Sequence, residues 1–155
     1  MKPEQFLKMT KEYERNLKSA KANDLVVGLT KSSAGQKVYK SGESLINVGF
    51  MQEYGTDTIP PRSFLRMPLA VKRKKIIAAM DQQFERLLDG GDFSALLELT
   101  GVAALNVVDG AFTTKGYGKW PDIKQSTKTA KGKSNPLIDT GLLRGSITWE
   151  VRRAA

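Results

Sequence analysis

The stretch Asp92-Phe-Ser-Ala-Leu-Leu-Glu-Leu-Thr-Gly-Val-Ala-Ala-Leu-Asn-Val-Val108 decides the fold. Asp92 is a good N-cap, because its carboxylate can accept from the unpaired N–H groups of a first helical turn. After it, Leu96, Leu97, Leu99, Val102, Ala103, Leu105 and Val107 leave almost no polar face, so this helix is expected to be the most buried element. Upstream, Leu69, Ile76, Met80, Phe84 and Leu87 fall mostly at helical spacings between Arg66 and Leu88, predicting one long amphipathic helix that starts near Pro68. Gly90-Gly91 stops that helix, and so short a connection makes the two helices antiparallel neighbours, an αα-hairpin.

Working outward, residues 3–21 place Phe6, Met9, Tyr13, Leu17 and Ala20 at spacings of three and four among Lys and Glu, an amphipathic helix with Pro3 in its first turn. Asn23-Asp24 breaks the pattern, and Leu25-Val-Val-Gly-Leu-Thr30 reads as a strand. Residues 31–43 are polar and contain glycine, predicting a mobile loop or an exposed hairpin arm. A short helix is expected over 44–54, ending at Gly55, and Thr58-Ile-Pro-Pro-Arg-Ser-Phe-Leu65 is stiffened into an extended run by its prolines. Residues 111–136 read as a second exposed loop, longer than compact domains keep without a reason. Thr140 then caps a turn at Gly141 to Arg144, and Gly145 to Val151 alternates Ile147, Trp149 and Val151 as a half-buried strand expected to pair with the strand at Leu25. The result is one α+β domain over 1–155: a small antiparallel sheet packed against a long helical hairpin, with an N-terminal helix and extended loops.

Composition narrows the chemistry. The chain has no cysteine and no histidine, which removes disulfides, thiolate metal sites, a cysteine nucleophile and the usual general base near neutral pH. Asp139 with Glu150, or Asp89 with Asp92, are the available carboxylate pairs, and nothing convergent surrounds either. Gly116-Tyr-Gly-Lys119 lacks the spacing of a phosphate-binding loop. The expectation is a protein that is not an enzyme, with no catalytic residues, no metal and no cofactor. No signal-peptide core and no apolar run of about 20 residues stands out, so the expectation is also a soluble protein with no membrane partner, kept in the cytoplasm.

The net charge of +9 is unevenly placed. Residues 1–77 carry +8, residues 78–110 carry −5 and residues 111–155 carry +6. Opposite charges in separate segments suit a surface that docks on copies of itself, or a basic face turned toward polyanion. The densest cluster, Lys72, Arg73, Lys74 and Lys75, is either a solvated face near a helix start or a set of phosphate contacts of the sequence-independent, salt-sensitive kind. Trp120-Pro121 in the basic loop is either a stacking platform for bases or, as we favour, an anchor tucked into the hydrophobic seam.

Two motifs carry a resemblance. Glu53-Tyr-Gly-Thr56 precedes Pro60-Pro-Arg-Ser-Phe-Leu-Arg66 and a long helix; downstream come Trp120-Pro121, Thr127, Lys128, Lys131 and then Leu137-Ile-Asp-Thr-Gly-Leu-Leu-Arg-Gly-Ser-Ile147 before a last strand. In this order, from Val48 to Val151, the chain resembles the tailed-phage tail-completion and virion-morphogenesis proteins of the HK97-type neck. Ser63 stands where that family often has proline.

The resemblance implies a structural protein of the virion, assembled from host cytoplasm into the tail or neck, that helps join the tail to the DNA-filled head. It implies partners as well: further copies in a ring-like homo-oligomer, a tail terminator, head-completion proteins, and non-specific contact with packaged DNA. The residues expected at such interfaces are Glu53, Tyr54, Arg62, Phe64, Arg66, Trp120 and Arg144, the arginines because a guanidinium fork suits carboxylate partners. The alternative reading is a sequence-independent nucleic-acid-binding protein.

Overall fold

The computed structural model describes residues 2–88, 91–132 and 134–154. Helix α1 (Pro3–Ala22) leads directly into strand β1 (Asn23–Leu29), followed by a single helical turn, α2 (Lys31–Ala34), and by α3 (Leu45–Tyr54). Then come α4 (Arg66–Val71), α5 (Arg73–Leu88), α6 (Phe93–Thr113) and α7 (Gln125–Lys131), and a 3-10 turn at Arg144–Ser146 enters β2 (Ile147–Arg153). The architecture is the expected α+β: a two-stranded antiparallel sheet with the α5–α6 hairpin packed against it.

The strands pair as expected, with Leu25 opposite Val151, Val27 opposite Trp149 and Leu29 opposite Ile147. Two strands alone are marginal in water, so the sheet depends on the helix laid across it. That helix is α6, capped by Asp92, whose Oδ1 accepts from the Ser94 N–H at 3.1 Å. Its buried positions include Leu96, Thr100, Gly101, Ala104, Val107, Val108, Ala111 and Phe112, the longest buried set of any helix among the described residues. Gly101 permits the close approach of the sheet, because a Cβ there would lie 2.6 Å from Trp149 Cδ2. By length and hydropathy α6 is apolar enough to cross a membrane, which qualifies the expectation that no such run exists; here it is the helix that packs on both strands.

The centre of the core joins α6 to the chain on either side of it. Phe64, Phe112 and Trp120 form an aromatic series, with ring centroids 5.8 Å apart for the first pair and 5.6 Å for the second, surrounded by Ala34, Leu45, Val108, Leu143 and Ile147.

Three expectations need correction. Of the two forms expected for residues 31–43, the exposed hairpin arm holds from Val38, which bridges Ser44, but the first half is neither form: Thr30 caps α2 and Ala34 is buried. The long helix from Arg66 to Leu88 is two helices that part at Lys72, where φ is −101° and ψ is 17°. Both pieces pack on α6, the first seating buried Pro68, and the Lys72 side chain at the break sits over the Tyr117 ring. Residues 111–136 are largely structured, since α6 runs on to Thr113, Trp120 is buried and α7 follows. The Gly90 half of the hairpin connection and Asp89 lie outside the described residues.

Candidate interaction surface

The first motif is organised around one carboxylate. Helix α3 begins at Ser44, whose Oγ accepts from the Asn47 N–H, and ends at Gly55, whose φ of 80° lies in the left-handed region where L side chains are strained. A Cβ at Gly55 would also lie 2.9 Å from Pro61 Cδ. The turn therefore returns the chain beside the last turn of α3, and Arg62 N–H donates to the Gln52 carbonyl at 2.7 Å.

This brings Glu53, only 5% exposed, to the start of α4. Its Oε1 accepts from Ser63 Oγ at 2.6 Å, from the Arg66 N–H at 3.0 Å and from Arg66 Nε at 3.2 Å. Its Oε2 accepts from the N–H groups of Phe64 and Leu65 at 2.7 and 3.0 Å. One side chain thus satisfies donors that a helix start leaves unpaired, and its negative charge suits the positive end of that helix. Burial pushes the Glu53 carboxyl up, but the bonds from Ser63 and the three backbone N–H groups outweigh it and hold the group below its ordinary value. Ser63 completes the cap by accepting from the Met67 N–H at 2.9 Å, so the residue where the resembled family often has proline is used as a capping group.

Arg62 and Trp120 tie this corner to the residues after α6. Arg62 donates to the carbonyls of Pro121 and Asp122 at 2.9 and 3.0 Å, and Trp120 Nε1 donates to the Ser63 carbonyl at 2.9 Å. Burial lowers the Arg62 pKa from its ordinary value, partly offset by Asp122. Asp122 itself is paired with Lys128 of α7 at 2.5 Å. Further along, Thr140 Oγ1 accepts from the Leu142 N–H, as expected for a capped turn. Arg144 grips Asp109 of α6 with two bonds of 2.6 and 2.8 Å.

The seven expected interface residues therefore divide. Glu53, Arg62, Phe64 and Trp120 are buried and make their contacts within the chain, with Trp120 in the anchor position. Arg144 is half-exposed but committed to Asp109. Tyr54 and Arg66 remain on the surface, where the Arg66 guanidinium lies 4.2 Å from the Tyr54 ring centroid. They continue a row that the sequence reading missed: Ile46, Phe50 and Tyr54 are four residues apart on α3, all exposed, with Phe50 and Tyr54 rings 4.6 Å apart. The spacing was visible in the sequence, but it could not show that α3 is buried through Leu45, Gly49 and Glu53 instead.

The second set gathers differently. Lys72 Nζ lies 4.6 Å from the Tyr117 ring centroid, and Arg73, Lys74 and Lys75 are exposed at the start of α5. Cations there oppose the helix dipole, so they add nothing to helix stability. Lys115 and Lys119 flank Tyr117 in sequence, which brings two basic segments to one corner of the molecule.

A cleft of about 490 Å³ runs between α3 and the residues around Asp122, lined by Tyr39, Gln52, Ile59, Arg62, Asp139 and Leu143. Gln52 Oε1 is buried with no hydrogen-bond partner among the described residues. Burial and the nearby Asp139 raise the Tyr39 pKa. Glu150 does not line this cleft; it pairs with Arg152 and accepts from Ser32, so Asp139 and Glu150 are not brought together there. Among the described residues, no three Asp or Glu side chains are grouped as a metal would require.

The fold and this surface define an α+β chain with a rigid, aromatic-edged corner. Compared with protein-family models, with curated proteins and with solved structures, the chain matches none of them.

Proposed function

We propose that the protein is a structural assembly component of a tailed-phage virion, completing the tail or neck and helping it join the DNA-filled head. The observation that carries this reading is the mutual fastening of the motif residues: Glu53 holds residues 63–66, and Ser63 and Arg62 hold residues 120–122. Segments that carry the resemblance build one rigid corner, and that corner presents Ile46, Phe50, Tyr54 and Arg66 outward. Aromatic and arginine side chains on a rigid scaffold are the composition of interface hot spots. In this reading the partners are further copies in a ring, a tail terminator and head-completion proteins, reached in the host cytoplasm and retained in the virion.

The test is a lysate of the encoding phage with an early stop codon in this gene. Filled heads and unattached tails, rejoined when the purified protein is added, are the expected result. Normal joining without the protein sinks the reading.

A second reading, sequence-independent nucleic-acid binding, is favoured by one observation, the meeting of Lys72–Lys75 with the Lys115–Lys119 segment through Tyr117. Titration with duplex DNA at rising salt tests it. Binding that weakens steeply with salt and is lost on replacing Lys72, Arg73, Lys74 and Lys75 by Gln supports it, and absence of salt-dependent binding removes it.

A further inference from the structure

The two-stranded sheet has an unpaired edge along β2. The N–H of Ala154, just past β2, donates to the Ala22 carbonyl at 2.9 Å, which makes these two a hydrogen-bonded pair. The alternation of an antiparallel ladder then bonds Asp24 with Arg152, Val26 with Glu150 and Gly28 with Thr148, and turns the N–H and C=O groups of Trp149, Val151 and Arg153 outward. Those three N–H groups meet no acceptor among the described residues. The end of this edge is bare, with Val151, Arg152 and Arg153 all exposed, whereas Leu25 and Val27 on the opposite edge are half-buried. Trp149 packs on Gly101 of α6, so by the alternation of a strand Glu150 and Arg152 stand together on the other face, where Arg152 Nε donates to Glu150 at 3.0 Å.

We infer that the β2 edge pairs antiparallel with the β2 edge of a second copy of this chain, centred on Val151. The order of charges along the strand selects both the occupant and the register. With Val151 opposite Val151, Glu150 of each chain stands opposite Arg152 of the other, twice by symmetry. These are the non-hydrogen-bonded positions of the new ladder, where facing Cα atoms are only about 4.5 Å apart and side chains come closest. Sliding one strand by two residues also matches outward groups, but it sets Glu150 against Glu150 or Arg152 against Arg152, and like charges directly opposite destabilise a sheet. Charges on an edge ordinarily keep sheets apart, and here they fit one alignment. The charged side chains of the two strands, Asp24, Glu150, Arg152 and Arg153, sum to zero, while Lys21 and Lys31 adjoin the opposite ends of β1. The product is a four-stranded sheet, which relieves the marginal stability of two strands alone. This two-fold pairing goes beyond the virion reading and does not need it.

The test reverses the charges. Full-length Glu150→Arg and Arg152→Glu variants are measured by light scattering, each alone and mixed in equal amounts, beside the unmodified protein, with helicity checked by circular dichroism. Each variant alone sets like charges opposite, whereas the mixture restores two opposite pairs. Expected are a mass of at least two copies for the unmodified protein, about half that mass or less for each variant, and recovery in the mixture. A monomer at all concentrations, a mass that ignores either reversal, or a mixture that stays apart overturns the inference. Because the chain has no cysteine, cross-linking gives an independent reading even where a reversed charge disturbs the fold. Copies carrying Glu150→Cys mixed with copies carrying Arg152→Cys keep one ion pair and bring two thiols opposite each other. Mixed disulfides under mild oxidation, in excess of those formed by either variant alone, are expected, and equal yields overturn the inference. Pairing found in a protein whose loss leaves heads and tails joining normally keeps this contact and removes the virion reading.

Discussion

The indole N–H of Trp120 donates to the carbonyl of Ser63 at 2.9 Å, joining residues 57 positions apart at the point where both motifs meet. The ring also stands edge-on to Phe112 at 5.6 Å, so the side chain contributes packing and a hydrogen bond together. Trp120→Phe keeps most of the packing and leaves the carbonyl unpaired, costing about 1–2 kcal/mol. Trp120→Ala also empties the seat and costs about 3–5 kcal/mol. Urea midpoints at unchanged slope are the measurement, and equal losses in the two variants would refute the division.

Glu53→Gln changes almost no volume, yet either placement of the amide turns its NH2 toward backbone N–H donors now met by a carboxylate oxygen. A loss of about 3 kcal/mol is expected, since each unsatisfied buried donor costs about 1–3 kcal/mol. A variant as stable as the parent would show that the carboxylate is dispensable.

The same residue sets a pH dependence. The folded Glu53 carboxyl lies below its ordinary value of 4.5, and Asp109, paired with Arg144, lies below 3.8. In acid the unfolded chain therefore holds more protons than the folded one. Their contribution is complete above the unfolded values and disappears as pH falls through the folded ones. Stability measured from about pH 6 down to about pH 3 should decline in the parent and decline less in Glu53→Gln.

Gly101→Ala sets two effects against each other. Alanine gains about 1 kcal/mol of helix propensity over glycine. Its Cβ, however, would meet Trp149 ring atoms at 2.6 and 2.7 Å near the root of the side chain, where rotation gives little relief. Overpacking costs about 1–3 kcal/mol, so a net loss with a shifted Trp149 fluorescence is expected.

Arg144 and Asp109 are about 37% and 48% exposed, so their coupling in a double-mutant cycle should be only about 0.5–1 kcal/mol despite the two-pronged geometry. Arg144→Lys should lose most of it, because an ammonium does not span both oxygens.

The hairpin, the two strands and their pairing were readable because periodicity and capping report directly on them, as at Asp92 and along Leu96 to Val108. The corner was half-readable. Its residues stood out, but Phe64 and Arg62 between prolines look the same whether they point inward or outward. Their direction is set by Glu53 and Trp120, which are remote in sequence. The contacts at the break at Lys72 and along α1 are with Tyr117 and Gly91, remote in sequence, and neither leaves a local mark.

The pairing of β1 with β2 has a consequence for synthesis. Residues 23–29 leave the ribosome more than a hundred residues before 147–153, their only strand partner among the described residues. Until that last segment emerges, β1 offers an open edge, and α6 has no finished sheet to cover. The sheet is thus closed only after all the helices between its two strands have been made. Any encounter between copies before that moment involves a different surface from the finished one.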